Sequence, residues 1–130
     1  GDKQKVIDAW IDDIFYKFLA KKVKQKIRSF EVPQLMKYTA GGFYKPHSDA
    51  ELFDEEKRQW YRVFDRDYSL LLYLNDDFRG GAVEFTYFNY TFKPKKGDLL
   101  IFPSNYLFLH EAKKVESGVR YVIVSWAATQ

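Results

Sequence analysis

From Pro33 onward the chain is a succession of short apolar runs broken by turn residues. No other feature constrains the fold as strongly, because runs of this length suit strands and not helices. The runs are Leu35–Thr39, Ser69–Asn75, Val83–Phe88, Tyr90–Phe92, Leu99–Phe102, Tyr106–His110 and Arg120–Trp126. Gly41-Gly42, Asn75-Asp76-Asp77, Gly80-Gly81 and Lys95-Lys96-Gly97-Asp98 supply turns between them. Ser69–Asn75 (SLLLYLN) is continuously apolar, which predicts a strand covered on both faces. Residues 50–65 are polar and charged, with Trp60, Tyr61, Val63 and Phe64 interspersed. They read as a long loop with room for one helical turn, and long loops in compact domains are often lids. Short strands with frequent turns predict a mainly β fold, a sandwich or barrel.

Before Pro33 the period changes. Val6, Ile7, Trp10, Ile11, Ile14, Phe15, Phe18, Leu19, Val23 and Ile27 recur at spacings of three and four, predicting an amphipathic helix over residues 5–28. Asp8, Asp12 and Asp13 lie towards its N-terminal half, and Lys21, Lys22, Lys24, Lys26 and Arg28 crowd its end, as the helix dipole favours. That basic run reads as a solvated face, or as an anion-binding patch. With 130 residues the chain fits one domain, helix 5–28 plus a β core over 35–127. A net charge of +3 is too small to argue for a nucleic-acid partner. No apolar run approaches the ~20 residues of a membrane span, so no membrane partner is expected. Gly1 in place of Met reads as an expression scar or a cut fragment. The chain has no cysteine, which excludes disulfides, thiolate metal sites and a Cys nucleophile. With no signal-peptide pattern at the start, the expected compartment is the cytoplasm.

Histidine is scarce, and both copies sit in informative places. His47 and Asp49 are separated by one residue, so on an extended strand their side chains share a face. His110 closes an apolar run much later. Two imidazoles and one carboxylate leave three positions open on a divalent metal, the facial triad of non-haem Fe(II) oxygenases. His-x-Asp alone also occurs in surface turns. Its surroundings, Tyr38-Thr-Ala-Gly41-Gly42-Phe-Tyr44-Lys-Pro46-His47-Ser-Asp49, are more specific.

That stretch resembles the Tyr-x-x-Gly-Gly-x-Tyr-x-Pro-His-x-Asp motif of the prolyl 4-hydroxylase-like 2-oxoglutarate- and Fe(II)-dependent dioxygenases. The likeness continues in order. Arg66-Asp-Tyr-Ser69-Leu-Leu-Leu-Tyr73-Leu74-Asn75 is similar to the family's buried strand ending in Tyr-Leu-Asn. Gly80-Gly81-Ala-Val-Glu84-Phe85, Pro94-Lys-Lys-Gly97-Asp98-Leu-Leu-Ile-Phe102 and Leu109-His110-Glu111 follow, with Val115, Gly118, Arg120-Tyr121 and Trp126 closing the match.

The resemblance implies a double-stranded β-helix (jelly roll) carrying the N-terminal helix. It implies Fe(II) held by His47, Asp49 and His110, with 2-oxoglutarate and O₂ as cosubstrates and ascorbate as a reductant. Arg120 is then the cation for the distal carboxylate of 2-oxoglutarate, which Arg grips through two parallel hydrogen bonds. Tyr38 and Tyr73 become hydroxyl donors to the cosubstrate. Arg66 and Trp126 match positions near the substrate mouth. Tyr44 reads as packing under the metal strand or as facing substrate, and Asn75 as a turn former. The implied activity is hydroxylation of a C–H bond, foremost in a prolyl residue of a peptide or protein, with other residue types, free amino acids and small-molecule substrates left open, and with release of succinate and CO₂. Collagen-type members use Lys where this chain has Arg120. The chain also lacks the arginine-rich signature of the nucleic-acid demethylases, which argues against base repair. Two rivals remain at this level. One is a zinc-dependent hydrolase on the same ligands, which has no need of Arg120. The other is a non-catalytic jelly-roll binding module, which would bind no metal.

Overall fold

In the computed structural model, which describes residues 1–130, the N-terminal periodicity forms α1 (Asp2–Asp13), a wide π-helical stretch (Ile14–Leu19) and α2 (Ala20–Val23). The helix stops short of the expected residue 28. Lys24 turns left-handed at φ 55° and Ile27–Phe30 becomes a strand, β1. Ile27 fits the helical period, yet it reaches the same core as Ile11, Phe15 and Leu19 from a strand. The remaining strands are β2 (Gln34–Tyr38), β3 (Tyr44–His47), β4 (Glu51–Asp54), β5 (Gln59–Arg62), β6 (Tyr68–Tyr73), β7 (Arg79–Gly80), β8 (Val83–Phe85), β9 (Tyr90–Phe92), β10 (Leu99–Pro103), β11 (His110–Ala112), β12 (Val115–Ser117) and β13 (Arg120–Thr129). The β core therefore runs from 27 to 129, beyond the expected 35–127.

Three local expectations are corrected. Residues 50–65 are not a loop but a hairpin, with Glu51 opposite Arg62 and Asp54 opposite Gln59. Asp54 Oδ1 accepts the Glu56 and Lys57 N–H groups across its turn, and Arg58 takes a positive φ of 52°. The strand expected over Val83–Phe88 ends at Phe85 and passes into a 3-10 turn, Thr86–Phe88. The one expected over Tyr106–His110 is a 3-10 turn, Tyr106–Phe108, capped where the Asn105 side chain accepts the Leu107 N–H. Strand structure resumes only at His110.

The strands pair antiparallel into two main sheets. In the larger, β10 pairs β6 and β6 pairs β13, while β2 and β1 share the other edge of β13. The smaller runs β3-β11-β8-β9. The two ladders β4–β5 and β7–β12 flank them. The result is the expected jelly roll. Its core is double, as the unbroken apolar run of β6 requires. Leu70, with Leu72 and Leu74 beside it, packs against Ile11, Phe15 and Leu19 of the helix. Tyr73 and Leu71 point the other way, into the space between the sheets with Val83, Phe85, Phe102, Val122 and Val124. Each such side chain gains about 1.5–3 kcal/mol from burial. The helix thus roofs the outer face of the large sheet and leaves its inner face to the site. That face carries Arg120, Val122, Val124 and Trp126 of β13, with Tyr38 opposite Arg120, Tyr73 opposite Val122 and Ser69 opposite Trp126. No helix is long and apolar enough to cross a membrane.

Candidate active site

His47 and His110 meet because β3 and β11 pair in a register that sets them directly opposite, with ring centroids 4.4 Å apart. Each imidazole has its Nδ1 2.8 Å from a carbonyl oxygen, that of Lys45 for His47 and that of Phe108 for His110. A carbonyl only accepts, so both Nδ1 atoms carry a proton, which leaves Nε2 as the metal-ligating atom of each ring. Both Nε2 atoms face Asp49. Its Oδ1 lies 3.1 Å from His47 Nε2 and 3.5 Å from His110 Nε2, and one atom from each of the three residues falls within 4.8 Å of the others. The three side chains can hold one divalent ion.

The cluster forms, but not through strand alternation. β3 ends at His47, and Asp49 lies in the bend beyond it. Asp49 is drawn in from the far side instead: its Oδ2 accepts Ser69 Oγ at 2.6 Å and Trp126 Nε1 at 3.1 Å. Ser69 in turn shares a hydrogen bond with Ser104, and both are fully buried. Burial alone would raise the Asp49 pKa, but the facing histidines and Ser69 bring it down to about 2. Burial pushes the His110 pKa down, and the Phe85 and Phe102 rings stand 5.6 and 4.8 Å from its ring. A charged carboxylate beside a neutral imidazole is the state that binds a cation.

Arg120 heads β13 and is 2% exposed. Its Nη1 donates to the Gly81 carbonyl at 2.5 Å, and the guanidinium carbon sits 4.1 Å from the centre of the Tyr38 ring. Its Nε has no hydrogen-bond partner, and none of the chain's ion pairs includes it. Burial pushes its pKa down, opposed by Tyr73 and Tyr38. Burial likewise raises the pKa of both tyrosines, so their hydroxyls stay protonated as donors. A buried cation with an orphaned donor costs several kcal/mol unless an anion pairs with it. The donor set of Arg120, Tyr38 and Tyr73 therefore fits a carboxylate ligand.

Arg66 lies beside the cluster, with its guanidinium engaged by protein groups. Its Nε and Nη2 grip the Glu31 carboxylate at 2.6 and 2.8 Å, and its Nη1 donates to the Asp49 carbonyl at 3.0 Å. Its guanidinium also lies 3.8 Å over the Trp126 ring and 4.4 Å over Phe64. With these contacts it braces Asp49 and Trp126. Trp126 faces Asp49 too, through the bond already described. Tyr44 is 46% exposed with its ring 4.2 Å from that of His47, so one face is open beside the cluster. The basic run does not gather into a patch on one helix face: Lys24 is in the turn, and Arg28, on β1, pairs with Asp65. Ser69, Ser104 and Glu31 escaped the sequence reading. Ser69 left one trace, a polar residue opening an apolar strand, which when buried must find a partner.

The model of the 2OG-Fe(II) oxygenase superfamily matches residues 33–128, from just before β2 almost to the end of β13. Human prolyl 3-hydroxylase 2 is 37% identical over 90 residues, covering 62% of this chain and 13% of that protein. A PKHD-type hydroxylase of Aliarcobacter butzleri (strain RM4018) is 34% identical over 99 residues, covering 72% of this chain and 42% of that one. The chain thus spans less than half the length of these relatives. Among solved structures, the viral collagen prolyl hydroxylase of Paramecium Bursaria Chlorella virus-1 in its 2OG complex superposes with a TM-score of 0.76 at 27% identity, covering 92% of this chain and 72% of that one. Fold, cluster and family match agree: the chain is a prolyl hydroxylase-like member of the 2OG-Fe(II) oxygenase superfamily.

Proposed function

We propose that this chain is an Fe(II)- and 2-oxoglutarate-dependent dioxygenase that hydroxylates a prolyl C–H bond in a peptide or protein, releasing succinate and CO₂. One observation carries the reading. A His–Asp–His cluster and a buried arginine without an acidic partner both meet the space between the sheets. A hydrolytic zinc site needs the first and has no use for the second. In this reading His47 and His110 hold Fe(II) through Nε2 and Asp49 holds it through Oδ1. Arg120 holds the distal carboxylate of 2-oxoglutarate, flanked by Tyr38 and Tyr73. Bound Fe(II) supplies the one-electron and O₂ chemistry that side chains lack, and ascorbate serves as its external reductant.

The chain's own residues orient and exclude. Ser69 and Trp126 fix one carboxylate oxygen of Asp49 and so aim the other. Val122 and Val124 place apolar walls between Arg120 and Trp126 on the same strand face, which keeps water away from the reacting groups. The open face of Tyr44 beside His47 offers an aromatic surface to a prolyl ring.

The test is anaerobic addition of Fe(II) and then 2-oxoglutarate to the purified protein. A visible metal-to-ligand charge-transfer band is expected, absent in His110→Ala and needing far more 2-oxoglutarate in Arg120→Ala. Succinate release over a panel of proline-containing peptides then tests the substrate. No band from folded protein overturns the oxygenase reading. A band without peptide-dependent succinate overturns the prolyl substrate alone.

A further inference from the structure

The main-chain ladder between β6 and β13 stops just before Arg120. Its last rung is the Leu74 N–H donating to the Tyr121 carbonyl at 3.0 Å. Beyond it the Asn75 side chain takes the place of a strand. Its Nδ2 donates to the Val119 carbonyl at 2.7 Å, and its Oδ1 accepts the Tyr121 N–H at 2.8 Å. A carboxamide offers a donor and an acceptor side by side, as a peptide group does. In an antiparallel strand, residues 119 and 121 turn their polar groups to one neighbour and residue 120 to the other. On that other side Arg120 stands opposite Tyr38 of β2. The backbone that carries Arg120 is therefore held along both edges, on one by a strand and on the other by a single side chain.

Asn75 is itself held. Its Nδ2 also donates to Asp77 Oδ1 at 2.6 Å. The turn it belongs to is docked against the entry to β13: a Cβ on Gly118 would lie 2.8 Å from the Asp77 carbonyl oxygen. The guanidinium is less constrained than its backbone. It has one carbonyl partner and one aromatic face, and its Nε bonds to nothing. The direction in which it points is thus set largely at its Cα.

We propose that Asn75 is a positioning residue for cosubstrate choice. Its carboxamide fixes the main chain on either side of Arg120 and so aims the guanidinium at the distal carboxylate of 2-oxoglutarate. The inference rests on the role of Arg120 proposed above. Asn75 acts only through Arg120. Its loss therefore weakens ligands that carry a distal carboxylate and spares those that lack one.

The experiment compares 2-oxoglutarate with 2-oxobutyrate, which has the same keto-acid end and no distal carboxylate. Each is titrated anaerobically into Fe(II)-loaded protein, following the charge-transfer band. Wild type is expected to prefer 2-oxoglutarate by more than about 100-fold, the order of a buried charge pair. Asn75→Ala reduces that preference at least tenfold through 2-oxoglutarate alone, with 2-oxobutyrate and Fe(II) affinity each within threefold of wild type. Asn75→Asp keeps the acceptor for Tyr121 but sets its carboxylate against the Val119 carbonyl and the Asp77 carboxylate, and it reduces the preference at least as far. It also carries the test if Asn75→Ala fails to fold, as judged by circular dichroism. A wild type without preference overturns the role of Arg120 and this inference with it. A wild-type preference that survives in both variants overturns the positioning role alone, and so does an equal loss of both keto acids.

Discussion

Arg120 offers a test in which stability and function are expected to move in opposite directions. The substitution is Arg120→Met, which keeps length and apolar contact and removes the charge. Burying an unpaired cation costs several kcal/mol. Against this the native protein sets one charged hydrogen bond to Gly81, about 1.5–3 kcal/mol, and the contact with the Tyr38 ring, about 1–2 kcal/mol. These nearly cancel, so the ligand-free variant is expected to match wild type or exceed it by up to about 2 kcal/mol. At roughly 3–5 °C per kcal/mol for a domain of this size, Tm rises by at most about 10 °C. Ligand reverses the order. At 100 times its Kd, 2-oxoglutarate stabilises wild type by about 2.7 kcal/mol, roughly 8–13 °C. Arg120→Met, binding about 100-fold more weakly, gains only about 0.4 kcal/mol at the same concentration. The assay is thermal unfolding under anaerobic conditions with Mn(II), with and without 2-oxoglutarate. A loss of more than about 2 kcal/mol in the ligand-free variant would show that Arg120 is a structural cation. A full ligand-induced shift in the variant would show that the carboxylate binds elsewhere.

Ser69→Ala removes one of the two donors on Asp49 Oδ2, and divalent-metal affinity is expected to fall about 10–100-fold in a Mn(II) titration. Leu70→Ala opens a cavity between the helix and β6 and costs about 2–5 kcal/mol, read from the urea midpoint. Asp67 ties the end of β13 to the entry of β6: its Oδ2 accepts the Thr129 N–H at 2.7 Å and the Thr129 hydroxyl at 2.9 Å, and its Oδ1 accepts from Arg62. Burial alone would raise its pKa, but these donors hold it below the ordinary 3.8. Its contribution is therefore complete above pH 3.8 and lost as pH falls through the lower folded value. Urea midpoints of wild type and Asp67→Asn are expected to differ most at pH 6 and to converge below pH 4.

What the sequence revealed and what it hid divide along one line, local against non-local information. The unbroken apolar run of β6 announced a strand covered on both faces, and the helix and the second sheet supply those covers. The spacing of Ile11, Phe15 and Leu19 likewise announced a helix with a buried stripe. Two of the boundaries that failed lie where the backbone turns left-handed at a residue other than glycine. Lys24 ends the helix at φ 55°, and Arg58 turns the β4–β5 hairpin at φ 52°. Glycine is the usual mark of such turns, and a charged side chain in its place gives no warning. The pairing of His47 with His110 is non-local, set by a register that no window of sequence contains. Strand parity put His47 and Asp49 on one face for a reason the structure does not use, since Asp49 lies past the strand and is held by Ser69 and Trp126. Arg66 shows the opposite limit. Its position was legible from the family motif, but its work depends on Glu31, a residue that no motif includes.

β13 carries both anchors on one unbroken strand of 10 residues. Arg120 and Trp126 are six positions apart, roughly 20 Å at the usual rise per residue, and both project from the same face because the separation is even. The strand therefore works as a ruler graduated in steps of two. Substitutions of the residues between them alter the walls and leave the spacing alone. An insertion or deletion of one residue between 120 and 126 would swing one anchor to the helix side of the sheet, and no repacking nearby would restore it. Length variation among relatives is accordingly expected in the β4–β5 hairpin and the turns, while the interval from Arg120 to Trp126 keeps its count.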